Sequence, residues 1–202
     1  MQLLVSPTSP YARKVRVCVR EKGLSERIEE VFVNPHKDPA ELLEHNRLGK
    51  IPVLVRDDGE ALYDSPVICE YIDSLPAAPR LIPEPGDGRW AVLRAQALAD
   101  GILDLTVATV MERARPRGEQ SAPSMARWRE KIERAVDGMG ATLAALPAQG
   151  FDLGRIACAV ALGYLDLRLP EYDWRGAQPE LIDWHANVAA RPSMEETAPP
   201  RG

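Results

Sequence analysis

Pro76, Pro79, Pro83 and Pro85, followed by Gly86 and Gly88, interrupt the chain more decisively than any other feature of its sequence. Proline fixes φ and removes a backbone donor, so neither a continuous helix nor a central strand crosses such a stretch. Clustered Pro and Gly read as a linker between domains. Before it, short apolar runs alternate with helical stretches. After it, the pattern is helical throughout. The expected organisation is a small mixed-sheet domain at 1–75, a linker at 76–88 and an all-helical domain at 89–202.

The first half reads as βαβ followed by ββα. QLLV at 2–5 is a strand stopped by Ser6-Pro7. Residues 10–22 form a helix, with Val15, Cys18 and Val19 at helical spacing and Gly23 as its stop. A strand is expected at 28–33 and a short helix at 39–45. Strands at 51–56 and 60–63 flank Asp57-Asp58-Gly59, a hairpin turn signal. A helix at 65–74 starts with Asp64 or Ser65 as cap and Pro66 in its first turn. Beyond the linker, helices are expected at 90–112, 124–146, 152–169 and 179–190. The third carries ACAVALGYL, apolar on nearly all sides, and is therefore expected at the centre of its domain. In the second, Met125, Trp128, Ile132, Val136, Met139, Leu143 and Leu146 form one stripe.

Composition narrows the function. The formal net charge of −5 argues against nucleic acid as a partner, since that needs a basic surface. No apolar run reaches the roughly 18–20 residues of a membrane span, and the opening MQLLVS has no signal-peptide pattern. The three cysteines, Cys18, Cys69 and Cys158, are far apart and form no CxxC. That spacing fits neither a disulfide framework, a zinc ribbon nor a dithiol motif, and points to a reducing, cytoplasmic home. His36, His45 and His185 lack metal-ligand spacing, so no metal is expected.

Three places in the first half have ligand chemistry. Ser9 precedes Pro10 where a strand gives way to a helix. Its hydroxyl is a natural N-cap, and the same position suits an anion, because free N–H groups and the helix dipole converge there. A thiolate held there would be stabilised. In NRLGKIPVL, Pro52 stands at the mouth of a strand. A cis Ile51–Pro52 bond would turn the backbone of Ile51 toward an extended ligand; a plain turn is the simpler reading. In YDSP, Ser65 could take a carboxylate and Asp64 an ammonium, with ordinary helix capping as the alternative.

These motifs, together with SPTSPYARKVRV at 6–17, the ACAVALGYLD helix and RPSMEETAPP near the end, resemble the cytosolic glutathione S-transferases over essentially the whole chain, in a serine-type bacterial branch. The resemblance implies an α/β thioredoxin-like N-terminal domain plus an all-α C-terminal helical domain that forms the electrophile pocket. It implies that Ser9 holds the glutathione thiolate, that Ile51 and Pro52 present the backbone to its cysteinyl part, and that Asp64 and Ser65 bind the γ-glutamyl end. Lys37, or His36 beside it, would contact the glycine carboxylate. Asp100 would reach the γ-glutamyl amine across a homodimer interface. Two positions depart from the family pattern. Asp152 and Arg155 stand where the central helix usually has a capping box, and Arg155 cannot accept the returning hydrogen bond. Cys18 lies too deep in its helix to match the catalytic cysteine of redox-active branches.

The implied activity is conjugation of the glutathione thiolate to a small, apolar electrophile, with glutathione as co-substrate and a detoxifying role. The alternatives are a non-catalytic interaction module and a glutathione-dependent peroxidase or isomerase. Arg113, Arg115 and Arg117 either favour a helix C-terminus or face an acidic electrophile. A homodimer is expected also from apolar excess. The 65–74 helix carries Val67, Ile68, Tyr71 and Ile72. The 90–112 helix spreads Val92, Leu93, Leu98, Ile102, Leu103, Leu105 and Val107 over more than one face.

Overall fold

The computed structural model describes residues 1–148 and 150–200. It divides into two units, Met1–Ile82 with the described part of Arg191–Gly202, and Pro83–Ala190. In the first, β1 (Gln2–Val5) is the axis of a sheet with order β2-β1-β3-β4. Leu3, Leu4 and Val5 are buried on both faces, as a short continuous apolar run requires. β2 (Glu29–Phe32) pairs parallel to β1, with Leu4 opposite Val31. β3 (Val53–Val55) runs antiparallel to β1, with Leu4 opposite Val53, and β4 (Ala61–Leu62) antiparallel to β3. β2, β3 and β4 are shorter than the sequence pattern suggests, because their flanking residues lie outside the ladder.

Three helices complete the chain order of this unit: α1 (Pro10–Glu21), α2 (Ala40–His45) and α3 (Ser65–Ser74). α1 buries Ala12, Val15, Cys18 and Val19 and packs against α3, which buries Ile68, Cys69 and Ile72. Leu42 of α2 joins Leu4, Val53 and Val55 in a cluster beneath the sheet.

A buried ion pair closes the unit. Lys22 at the end of α1 and Asp73 near the end of α3 are both nearly inaccessible, with Nζ and Oδ1 3.4 Å apart. The Lys22 ammonium also donates to the carbonyls of Asp73, at 3.1 Å, and Ala77. The Asp73 carboxylate accepts from the N–H groups of Leu81, at 2.7 Å, and Ile82, at 3.2 Å. The first part of the Pro-rich stretch is therefore folded onto the sheet domain. Leu81 and Ile82 are core residues, and the boundary falls between Ile82 and Pro83.

The second unit contains α4 (Asp87–Arg113), α5 (Ala122–Asp137), α6 (Met139–Ala144), α7 (Leu153–Arg168), α8 (Trp174–Ala177) and α9 (Glu180–Ala189). α7 is the centre, buried from Ile156 to Leu162. It lies against α4 so closely that a Cβ at Gly154 would stand 2.9 Å from Ala95 Cβ and 3.2 Å from the Val92 carbonyl. Only glycine permits that approach. The cap of α7 is sound despite its unusual pair: Asp152 Oδ1 accepts from Arg155 N at 2.9 Å, and the Arg155 guanidinium pairs with Oδ2 and donates to Pro147 O at 2.9 Å. Arg155 holds the capping carboxylate itself in place of the missing reciprocal bond.

Three sequence expectations are revised. The single helix over 124–146 is two, broken at Gly138, where poor helix formers Gly138 and Gly140 flank Met139. α8 falls in a segment without helical periodicity, held by Trp174 and Arg175 on the Asp166 carboxylate. The last helix, α10 (Pro192–Glu196), does not group with the helical domain expected at 89–202. It packs on α1, where Arg13 Nη2 donates to Met194 O at 3.0 Å and Glu21 takes Arg191, at 2.7 Å, and Ser193. No helix among the described residues is long and apolar enough to cross a membrane.

The Lys22–Asp73 geometry gives an asymmetric prediction. Asp73→Ala strands a buried ammonium and two amides, and should cost about 3–5 kcal/mol. Lys22→Met leaves the carboxylate bonded to Leu81 and Ile82, and should cost less. Urea unfolding followed by far-ultraviolet circular dichroism measures both, and amide exchange at Leu81 and Ile82 should accelerate most in Asp73→Ala. Equal costs would show that the two amides contribute nothing.

Candidate functional site

Strand direction collects four chain segments at one end of the sheet. β1 and β2 both finish there, followed by Ser9 and by His36-Lys37. β3 is antiparallel to β1, so the residues before it, Ile51-Pro52, lie at the same end. β4 reverses again, so Asp64-Ser65 after it do too. Across the sheet the order is Lys37, Ser9, Ile51-Pro52, Asp64-Ser65. At about 4.8 Å between strands, this row is about 14 Å wide.

Each position is held by local chemistry. Ser9 is the N-cap of α1, extended at φ −72° and ψ 121°, and its Oγ accepts from Ala12 N at 3.2 Å. A serine hydroxyl has one donor and two acceptor sites. Capping uses an acceptor and leaves the O–H to donate, so capping and holding an anion are compatible. Pro10 and Ala12 behind it are buried, while Ser9 is half-buried.

Pro52 is buried, the Ile51–Pro52 bond is cis, and Ile51 stands outside the β3 ladder. The approach to this bond is shaped by Asn46, 2% exposed. Its Nδ2 donates to Lys50 O at 2.8 Å and its Oδ1 accepts from Leu48 N at 3.0 Å. Gly49 follows at φ 63°, where a Cβ would be 3.3 Å from Asp38 Oδ1. The sequence motif contained Asn46 without disclosing this role. An Asn two residues before an N–H it can bond is the local signal for it.

Asp64 is the N-cap of α3, yet its exposed carboxylate makes no capping bond. Ordinary capping thus does not occupy it. Ser65 is the first helical residue and is buried, beneath the positive end of the α3 dipole. The Tyr63–Asp64 bond is also cis. On the far side of the row, Asn34 Oδ1 accepts from His36 N at 3.0 Å, fixing a short turn that leaves His36 and Lys37 exposed.

The row therefore has a cation at one end, a carboxylate at the other, and two helix N-termini and backbone amides between. It suits an extended, zwitterionic ligand. A fully extended tripeptide reaches at most about 11 Å, which spans most of the row.

Burial works against the thiolate form at Cys18 and Cys158. The Cys18 thiol donates to Cys69 Sγ at 3.7 Å, and that bond together with complete burial pushes its pKa well up. Burial raises Cys158 to about 12, with Asp152 and Asp100 adding to the shift. Among the described residues no group of His, Cys, Asp and Glu is arranged to hold a metal. His185 packs edge-on against Trp174, with Nε2 3.3 Å from Ala159 O.

The remaining candidates lie in the helical unit. Asp100 is in α4, half-buried and close enough to Cys158 to affect its titration. Arg113 pairs with Glu171 at 2.5 Å, and Arg115 with Glu119 at 3.3 Å. Arg117 opens a short 3-10 turn. The arginines do not form one unpaired cationic cluster.

Comparison with known proteins identifies the family. The family model for the glutathione S-transferase N-terminal domain matches residues 8–75, which contain Ser9, Lys37, Ile51, Pro52, Asp64 and Ser65. An uncharacterized GST-like protein of Escherichia coli K12, YibF, is 38% identical over 204 residues, covering 100% of both chains. A glutathione transferase family member from Pseudomonas fluorescens Pf-5, solved with bound glutathione, superposes with a TM-score of 0.93 at 40% identity, covering 99% of each chain. A glutathione S-transferase from Methylobacillus flagellatus KT, also solved with glutathione, gives 0.92 at 42% identity over 98% of this chain and 99% of that one. A sheet with these four segments at one end, a helical second unit centred on α7, and full-length relatives of this kind make the chain a member of the glutathione S-transferase family.

Proposed function

We propose that the chain is a serine-type bacterial glutathione S-transferase that conjugates the glutathione thiolate to a small, apolar electrophile. The observation that carries this reading is the order of groups along the sheet end: Lys37, Ser9, Ile51-Pro52, Asp64-Ser65. Laid across it, glutathione places its glycine carboxylate toward Lys37, with His36 adjacent. Its cysteinyl backbone meets Ile51 before Pro52, and its sulfur meets Ser9. The γ-glutamyl carboxylate takes Ser65 at the α3 N-terminus, and its ammonium takes Asp64. The bound glutathione of the Pseudomonas and Methylobacillus relatives supports the ligand.

The sulfur of glutathione is the nucleophile. Ser9 Oγ–H donates to the thiolate while the α1 N-terminus adds its field, and both favour the charged form. The proton leaves to solvent, the thiolate forms a C–S bond, and the electrophile's leaving group departs or its double bond takes a proton. The raised pKa values of Cys18 and Cys158 support a mechanism in which no enzyme thiol takes part. Three free cysteines, two of them 3.7 Å apart as thiols, support a reducing, cytoplasmic setting.

The functional unit in this reading is a homodimer, in which Asp100 of one subunit reaches the γ-glutamyl amine bound to the other. Partly open apolar surface supports it. Val67 on α3 is 46% exposed and Trp90 on α4 65%. Leu93, Leu98, Leu105 and Val107 of α4 are only half-buried. Light scattering at low micromolar concentration should give twice the 22.3 kDa chain mass. A single-chain mass with full activity would remove both the dimer and the Asp100 role.

Ser9→Ala should leave the fold nearly intact, since losing a cap costs about 1 kcal/mol. The bound thiol loses a hydrogen bond made only to its charged form, so its pKa should rise and the rate at neutral pH fall about ten- to a hundredfold. Thiolate absorbance against pH, with glutathione bound, measures it. An unchanged titration would reduce Ser9 to a helix cap.

Ser65→Ala should act on binding instead. The γ-glutamyl end is remote from the reacting sulfur and is held alike in ground and transition states, so KM for glutathione should rise with kcat nearly unchanged. Steady-state kinetics with a chromogenic electrophile tests this. A large fall in kcat at saturating glutathione would overturn the assignment.

A further inference from the structure

Two of the sequence motifs, SPTSPYARKVRV and RPSMEETAPP, meet in the first unit through Arg13 and Met194. α10 and Thr197 form a strap on α1. Met194 is 1% exposed and Thr197 is inaccessible, and Thr197 Oγ1 donates to Ser193 O at 2.7 Å. At the end of α1 the strap is fastened by ion pairs. Glu21 takes Arg191, at 3.1 and 2.7 Å, and Ser193, while Arg20 Nε donates to Glu196 Oε2 at 3.0 Å.

Near the start of α1 the fastening is of another kind. Arg13 Nη2 donates to the Met194 carbonyl at 3.0 Å. Among the described residues no carboxylate pairs with Arg13, and its Nε is enclosed without a partner. Burial, with Arg16 adding to it, lowers this guanidinium to about 10, so it stays charged at neutral pH. A buried cation on a single carbonyl is a costly way to fasten a helix, and an apolar side chain of similar volume is the cheaper solution. Arg13 therefore supplies something other than stability.

The same residue closes the turn that presents Ser9. Arg13 N donates to Ser9 O at 2.9 Å, the first i→i−4 bond of α1, and Ala12 N donates to Ser9 Oγ at 3.2 Å. A helix start has few bonds of its own and opens easily unless it is tied down. The Met194 carbonyl is a fixed point outside α1, because Met194 N is itself bonded to Arg191 O at 2.9 Å. A tether on Arg13 restrains Ser9 through the backbone.

We propose that Arg13 is a positioning residue for the reaction: through the Met194 carbonyl it anchors the first turn of α1 to the C-terminal strap and so fixes the Ser9 hydroxyl where the glutathione sulfur meets it. This rests on the reading of Ser9 given above. The strap is then part of the glutathione half of the chain in function as well as in packing.

The test compares full-length Arg13→Met, Arg13→Lys, Ser9→Ala and the Ser9→Ala/Arg13→Met double variant, with circular dichroism confirming the fold. Misplacing a reacting group by about 1 Å costs on the order of a hundredfold. Loosening it should cost less, so kcat in Arg13→Met should fall about tenfold at neutral pH. KM for glutathione should stay nearly unchanged, and the pKa of the bound thiol should rise, read from thiolate absorbance. Arg13→Lys keeps a donor for Met194 O and should recover most of the loss. In the Ser9→Ala background Arg13→Met should add nothing, because Arg13 acts through Ser9. Should Arg13→Met not fold, Arg13→Gln, polar but two atoms shorter than arginine, carries the same expectations. In the ligand-free chain, amide exchange at Ala12 should accelerate in Arg13→Met, which tests the tether without glutathione. If Ser9→Ala itself leaves the thiol titration unchanged, the reading of Ser9 fails, and exchange at Ala12 still decides whether Arg13 holds the turn. If Ser9→Ala moves the titration and Arg13→Met does not, the positioning role alone is overturned. A further rise in the double variant, Arg13→Lys as impaired as Arg13→Met, or unchanged exchange at Ala12 would overturn it as well.

Discussion

β3 runs antiparallel to β1 in the register that sets Val53 opposite Leu4, and the chemistry of the first unit depends on that pairing. Had β3 run parallel, Ile51-Pro52 would lie at the opposite end of the sheet from Ser9. A one-residue slip would be as damaging in another way. It would exchange the faces of Val53, Leu54 and Val55 and break the cluster that Val53 and Val55 form with Leu4 and Leu42. Because the same pairing that buries the core also gathers the site, the site needs little organisation of its own. It adds only the Asn46 loop and two helix starts.

Those helix starts illustrate how one local structure serves two ends. Each α-helix leaves free N–H groups at its first turn, and each of these two has its terminus at the same sheet end. At α1, the Ser9 hydroxyl satisfies one N–H and retains a proton to donate. At α3, the Asp64 carboxylate is not spent on capping, so the helix keeps both a positive field and an adjacent negative group. An anion and a cation can then be seated side by side, as an amino-acid-like terminus requires.

Much of this was legible from sequence because it is written in short-range signals. Ser-Pro, Asp-Asp-Gly and Asp-Ser-Pro mark the turns that deliver Ser9, the β3–β4 hairpin and α3, and the observed bounds of β1 and α3 match the expected ones. What escaped was long-range. Lys22 and Asp73 are unremarkable charged residues in the sequence, and only the packing of α1 on α3 makes them a buried pair. That pair draws Ala77 to Ile82 into the first unit, where composition alone suggested a free linker. α10 was missed for a related reason. Five residues are too few to show periodicity, and its place depends on Glu21, Arg13 and Arg20, at sequence separations of 170 to 181.

The disposition of sulfur bears on what the two units can contribute to catalysis. A thiol is useful as a nucleophile when its environment favours the thiolate. Cys18 and Cys69 share a hydrogen bond in the α1–α3 interface, and Cys158 lies in the apolar centre of α7 against the Ala95 carbonyl, 3.9 Å away. Burial disfavours charge at both places, and the shifts of Cys18 and Cys158 are upward. The site end of the sheet has the opposite character: two helix N-termini, a hydroxyl with a proton to give, and no sulfur. For the reading proposed above, the division is a functional requirement, since an enzyme thiolate beside Ser9 would compete with the bound glutathione sulfur for the same hydrogen bond and for the same electrophile.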